Sequence, residues 1–120
     1  MRYSAHVAQR QGYATNEFSA TDALPVIMNT LGKSLPPLAS LLPFEAAARL
    51  ESFSKAAEEL HITQAAISRQ IRGLEENLGL KLFSRRNRAV FLTQEGLELG
   101  RVVSSSLSSI SHVAETLRQA

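Results

Sequence analysis

The chain has 120 residues, 44% of them hydrophobic, which is enough for one small core with a flexible end. It has no cysteine, and His6, His61 and His112 stand far apart without ligand spacing, so neither disulfides nor a bound metal or other cofactor is expected. No apolar run is long enough to cross a bilayer and no secretory signal opens the chain, so a cytoplasmic protein with no membrane contact is the default, and the net charge of +2 does not by itself indicate nucleic acid.

Residues 1–35 carry scattered small and polar side chains with Gly12, Pro25 and Gly32 and no sustained periodicity. A flexible or weakly structured extension is expected there, with at most a turn or two of helix around Thr21 to Asn29. Pro36 and Pro37 mark the entrance to an ordered domain. Beyond them Leu41, Leu42, Phe44, Ala47, Ala48 and Leu50 give the apolar side of a first helix ending near Leu50 or Glu51. Ser40 is the expected cap, because it would leave Pro43 in the first turn, where a missing N–H costs nothing.

A short connection follows, with Phe53 as a core plug and Ser54 capping a second helix from Lys55 to Leu60. Phe53, Ala56, Ala57 and Leu60 have the spacing of a buried side. Glu58 and Glu59 read as solvated charges, since adjacent positions diverge and no base or nucleophile accompanies them. His61, in the turn before Thr63, is read as closing that turn in preference to reaching a phosphate, and Thr63 is the cap of a third helix reaching Leu78, with Ile62 and Ile67 placed as a hydrophobic staple.

On that third helix Ile67, Ile71, Leu74 and Leu78 recur at helical spacing and form a buried stripe. Gln64, Ser68, Arg69 and Arg72 fall outside it. Amides and guanidinium groups make paired hydrogen bonds to base edges, hydroxyls serve bases or phosphates, and the small Ala65 permits close approach to a groove. Taken alone, the same residues suit an ordinary solvated helix. The short helix and turn in front of it favour a helix-turn-helix.

Gly79 ends the third helix as a left-handed cap. Leu82 to Ser84 and the alternating Val90 and Leu92 then suggest a small two-stranded wing whose charged turn carries Arg85, Arg86, Asn87 and Arg88. Arg86 and Arg88 are the expected contacts to a phosphate backbone or minor groove, with Arg85 assigned to packing. From Arg69 to Arg88 six basic residues stand against Glu75 and Glu76, either of which is a candidate partner for the wing arginines.

Thr93 caps a last helix from Gln94 nearly to Gln119, with Leu92 and Leu97 as a second staple. Leu99, Val103, Leu107, Ile110, Ala114 and Leu117 make a stripe along it too long for a small domain to bury, which calls for a second copy of the helix. The serines between Ser104 and Ser111 weaken helix propensity, so a linker remains an alternative.

The run FEAAARLESFSKAAEELHITQAAISRQIRGLEENLGLKLFSRRNRAVFLTQEG resembles the DNA-binding segment of LysR-type transcriptional regulators. The resemblance extends over residues 36–117. It implies a mainly α fold: a winged helix-turn-helix over 36–93, followed by a dimerisation helix over 94–120. It also implies sequence-specific binding of double-stranded DNA by a homodimer at a partly palindromic site, with no catalysis. In the family's motif Gln64, Ser68 and Arg69 correspond to contacts with bases or adjacent phosphates, Thr63 to a phosphate contact, and Arg88 to a backbone or minor-groove contact. Ala65 replaces a proline common at that position. Full-length members carry a further effector domain that holds the small-molecule pocket and much of the tetramer contact, so the chain resembles a fragment or a truncated product. The competing reading is a protein interaction module acting through the long last helix.

Overall fold

In the computed structural model of the protein, residues 31–120 other than 88 are described, and residues 31–34, which are helical, belong to a separate compact unit from Pro36–Ala120. The readings placed on residues 1–30 and on Arg88 lie outside the described residues. The larger unit runs α1 (Leu38–Leu50), α2 (Phe53–Leu60), α3 (Gln64–Leu78), β1 (Phe83–Arg86), β2 (Ala89–Leu92) and α4 (Gln94–Arg118). It is a mainly α winged helix-turn-helix with a long C-terminal helix.

Helix α1 begins earlier than expected. Pro37 is its N-cap, no side chain caps it, and Ser40 lies within the helix, 2% exposed. Pro43 is therefore interior, where its ring is buried and the Ala39 carbonyl lacks the usual intrahelical donor. The Ser40 hydroxyl instead bonds across the core to Gln70 Oε1 of α3, at 3.2 Å. Packing thus overrides the local capping preference. Leu42, expected inside, is exposed, while Ala46 is fully buried.

Helix α2 is capped by Ser52, whose Oγ accepts from the Lys55 N–H at 3.1 Å, so Phe53 rather than Lys55 is its first residue. Ser54, the expected cap, is inside the helix. The chain leaves α2 through His61, held at φ 56°, and the Ile62 N–H bonds back to the Ala57 carbonyl at 3.1 Å. His61 therefore has the turn-closing role read from the sequence. Arg49 of α1 bonds Glu45 on its own helix and Glu59 on α2, tying the two together at the surface. That hydrogen bond holds the Glu59 carboxyl below its usual range, and the Arg49 guanidinium is raised by Glu59 first and Glu45 second. The contribution of Glu59 is present above the ordinary carboxylate range and is lost as pH falls through its lowered pKa.

The core joins Phe44, Ala46 and Ala47 of α1, Phe53, Ala56 and Ala57 of α2, Ile67, Ile71 and Leu74 of α3, Leu82 and Phe83 at the wing, and Val103 of α4. Phe83 stands edge-on to Phe44 at 5.8 Å and to Phe53 at 5.2 Å, so one aromatic residue of the first strand meets both leading helices. The staple partners are less buried than expected: Ile62 is 41% exposed and Leu97 38% exposed.

Helix α4 is capped by Thr93, whose Oγ1 accepts from the Gly96 N–H at 3.0 Å and donates to the Lys81 carbonyl at 2.8 Å. Its first turn crosses Leu82 so closely that a Cβ at Gly96 would lie 2.1 Å from the Leu82 carbonyl oxygen. Gly100, one turn on, has ordinary space, with the nearest atom at 3.7 Å. Gly96→Ala should therefore cost more than about 3 kcal/mol, beyond ordinary overpacking, because a backbone oxygen cannot step aside. Gly100→Ala should be neutral or slightly stabilising through helix propensity. Denaturant unfolding of the two variants side by side checks this, and equal stabilities would contradict it.

Candidate nucleic-acid interface

Helix α3 presents the predicted reading residues at its well-fixed start. The Thr63 side chain accepts from the Ala66 N–H at 3.0 Å, as capping requires. Gln64, Ala65, Arg69 and Arg72 are exposed and Ser68 is half-buried, while Ile67, Ile71 and Leu74 face the core. The buried stripe ends differently from expectation, with Leu78 38% exposed and Glu75 taking the inward position.

Glu75 is the functional surprise of this helix. Its Oε2 accepts from the backbone N–H groups of Leu82, at 2.8 Å, and Phe83, at 3.3 Å, and its Oε1 lies 3.8 Å from Lys81 Nζ. Among the described residues it partners neither Arg85 nor Arg86 but fixes where the chain turns from α3 into the wing. The signal was present in the sequence, since Glu75 stands four residues after Ile71 and next to Leu74, on the inner face. Gly79, at φ 73°, supplies the left-handed residue that ends α3, and its N–H bonds the Glu75 carbonyl at 2.8 Å.

The wing is an antiparallel hairpin pairing Phe83 with Leu92, Ser84 with Phe91, Arg85 with Val90 and Arg86 with Ala89. Residues 87 and 88 connect the strands, and Asn87 adopts φ 49°, a conformation asparagine tolerates. Alternation places Phe83, Arg85, Val90 and Leu92 on the inner face and Ser84, Arg86, Ala89 and Phe91 on the outer one. The Arg85 guanidinium carbon lies 5.0 Å from the Phe53 ring centroid, the packing role expected of it.

Gln64 and Ser68 of α3 share an open hollow of about 310 Å³ with Ser52 and Ser54 at the start of α2 and with Arg85. Arg85 also lines a neighbouring hollow with Arg72 and Lys81. Arg86 belongs to neither and instead lines a separate outer hollow with Asn87, Ala89 and Phe91. The structure thus gathers Gln64, Ser68, Arg72 and Arg85 around the groove between α3 and the wing, and Lys81 and the two serines join them without having been singled out from the sequence. Among the described residues, Arg69, Arg72, Arg85 and Arg86 have no carboxylate partner, whereas Arg49, Lys81 and Arg118 do.

The residues expected to dimerise divide into two groups. Val103 is buried in the domain's own core, and Leu99 and Leu107 pack against it. The expectation that the small domain leaves the whole stripe uncovered is corrected on this point, because α4 lies against α1 before it extends beyond the core. Ile110 is 65% and Leu117 69% exposed, Ala114 between them is half-buried, and Val113 adds a further exposed apolar side chain.

Three compact helices, a tight turn between the second and third, and a two-stranded wing define the winged helix-turn-helix class. Residues 38–97 match the family described as "Bacterial regulatory helix-turn-helix protein, lysR family", and the chain belongs to that family. A relative from Escherichia coli K12, named glycine cleavage system transcriptional activator, is 62% identical over 66 residues, covering 55% of this chain and 22% of its own length. The regulator TrpI of Pseudomonas aeruginosa PAO1 is 45% identical over 89 residues, covering 74% of this chain and 30% of its own. The chain thus spans less than a third of either relative. Among solved structures, the DNA-binding domain of BenM in complex with catB site 1 DNA superposes with a TM-score of 0.64 at 36% identity, over 69% of this chain and 93% of that one. The CbnR DNA-binding domain in its DNA complex gives 0.60 at 29% identity, over 69% of this chain and 95% of that one.

Glu75→Ala would leave two buried backbone donors without an acceptor, each costing roughly 1–3 kcal/mol. The expected result is a lower unfolding midpoint together with faster amide exchange at Leu82 and Phe83. Unchanged exchange at those two amides would mean that the carboxylate does not hold the wing.

Proposed function

We propose that the chain is the DNA-reading and dimerising portion of a transcription regulator, binding a partly palindromic duplex site as a homodimer without catalysing a reaction. The observation that carries this reading is the set of arginines without a carboxylate partner, Arg69 and Arg72 on α3 and Arg85 and Arg86 on the wing. A protein that gains nothing from an anionic partner would have neutralised or dispersed them. In this reading Gln64, Ser68 and Arg69 reach base edges, Ala65 allows the approach, and Thr63, Arg72, Arg86 and Arg88 engage phosphates or the minor groove. Residues 36–93 supply the reading domain and residues 94–120 the dimer helix. The DNA complexes of the similar BenM and CbnR domains support the duplex as the partner.

A small-molecule effector and a tetramer belong to this proposal only through a further domain, the chain spanning less than a third of the similar regulators' length. A protein interaction role through α4 is the second reading, favoured by the exposure of Ile110, Val113 and Leu117. The two are compatible if the partner is another copy of the same helix.

Binding titrations against a site selected from random DNA and against unselected duplex test the first reading. Gln64→Ala and Arg69→Ala should each lose about 1–3 kcal/mol of discrimination while keeping most of their affinity for unselected duplex. Unchanged discrimination in both variants would remove base reading from α3.

The dimer has its own check. Ile110→Asp combined with Leu117→Asp should leave the domain folded, since both side chains are solvent-facing, and should shift the chain from dimer to monomer in sedimentation. A wild-type chain that is monomeric at micromolar concentration contradicts pairing through α4.

A further inference from the structure

The geometry points to Arg85, set in place by the ring of Phe53, as a preformed phosphate anchor between the reading helix and the wing. This rests on the duplex-binding reading above and adds within it a contact at Arg85 to those the sequence placed on Arg86 and Arg88. The hairpin register carries the first part of the argument. Arg85 pairs with Val90 and lies on the inner face of the wing, so it lines one hollow with Gln64 and Ser68 and the adjoining one with Arg72 and Lys81. Arg86, one residue on, falls by register on the outer face and lines a separate hollow with Asn87, Ala89 and Phe91, not the one that holds Gln64 and Ser68. A backbone that seats its bases against Gln64 and Ser68 passes the first of these two arginines.

The second part is the cation–π contact with Phe53. The Arg85 guanidinium carbon is 5.0 Å from the Phe53 ring centroid, while no carboxylate of the described residues pairs with it. Glu51 borders the same hollow without forming an ion pair, and Glu75 is engaged by the backbone of Leu82 and Phe83 and by Lys81. A cation–π contact holds a guanidinium beside the ring yet leaves its N–H groups free, unlike a salt bridge, which consumes them. Planar, bidentate donors with a fixed orientation suit a phosphodiester, and orientation before binding removes part of the ordering cost. The hydroxyls of Ser52 and Ser54, hydrogen-bonded to each other at 3.1 Å on the same rim, leave one O–H as a neutral donor for the same phosphate oxygens.

Phe53 is 5% exposed and packs edge-on to Phe83, so it does not touch DNA itself. It is a positioning residue, acting only through Arg85. The two roles separate in a double-mutant cycle of the full chain on a short duplex of random sequence, followed over a salt range of about 50 to 200 mM. Arg85→Ala is expected to weaken binding about tenfold at the lower salt and to reduce the salt slope by about one contact, while Arg86→Ala has the smaller effect. Arg85→Lys should retain the slope but lose part of the affinity, since the charge remains and the bidentate guanidinium does not. Phe53→Leu should weaken binding in the wild-type background and have no effect once Arg85 is alanine, with folding of each variant verified by circular dichroism.

A structural role for Phe53 alone would weaken binding equally in both backgrounds, and that result overturns its positioning role. An Arg85→Ala variant with the wild-type affinity and slope, or a larger loss from Arg86→Ala, overturns the anchor. Either outcome leaves the duplex reading intact as long as the wild-type chain binds. If the wild-type chain fails to bind duplex even at the lower salt, the duplex reading falls and the anchor with it.

Discussion

A carboxylate removed from water is stable only when donors replace the water it has lost. Glu75 meets that condition by accepting from two consecutive backbone N–H groups at the entrance to the wing, with Lys81 close to its other oxygen. The consequence is geometric. The last turn of α3 and the first residues of β1 share one polar joint, so α3 and the wing cannot rotate independently without leaving Leu82 and Phe83 unsatisfied. The aromatic contacts reinforce the joint from below, because Phe83 is wedged against Phe44 and Phe53. Thr93 closes it from the other side, binding the Lys81 carbonyl through its hydroxyl and the Leu82 carbonyl through its backbone N–H, at 3.0 Å. A single short segment, Lys81 to Phe83, thus receives α3, α4 and the aromatic core at once.

That joint explains why so small a domain can hold polar groups at a fixed separation. Loosely held side chains lose freedom on binding and thereby weaken it. Here α3 begins at a capped residue, α2 is locked to α1 through Arg49 and Glu59, and Ser40 ties α1 to α3 through Gln70. These are short-range devices of modest individual strength. Their combined effect is that the face carrying Gln64, Ser68 and Arg69 has one orientation relative to the wing.

The order of elements was legible in the sequence because each depends on local chemistry. Thr63 and Thr93 cap as read, Gly79 terminates α3, and the stripe of Ile67, Ile71 and Leu74 faces inward. The misplaced boundaries have a common cause. Ser40 and Ser54 are plausible caps by residue type, but each lies inside a helix whose start is set elsewhere: by packing of the Pro43 ring and the reach of Ser40 to Gln70 in one case, and by the capping of Ser52 and burial of Phe53 in the other. Glu75 was misjudged because charge was weighed above position. The facing of Arg85 and Arg86 depends on the pairing register. Register is a long-range property that a run of Ser84, Arg85, Arg86 and Asn87 does not disclose by itself.

Helix α4 shows how one periodic stripe can be divided between two obligations. Its first half settles on the domain through Leu99, Val103 and Leu107, and Gly96 lets it approach the Leu82 carbonyl closely enough to do so. Its second half continues at the same helical spacing with Ile110, Val113 and Leu117 uncovered. Periodicity alone cannot mark the point where one partner ends and the next begins, since both halves require apolar residues on one face. The division matters for what the helix transmits. Because the near half is rigidly seated on α1, whatever covers the far half is coupled through a continuous helix to the orientation of the domain. A second copy paired there would fix the distance between two reading helices through backbone geometry, with no contact between the reading domains themselves.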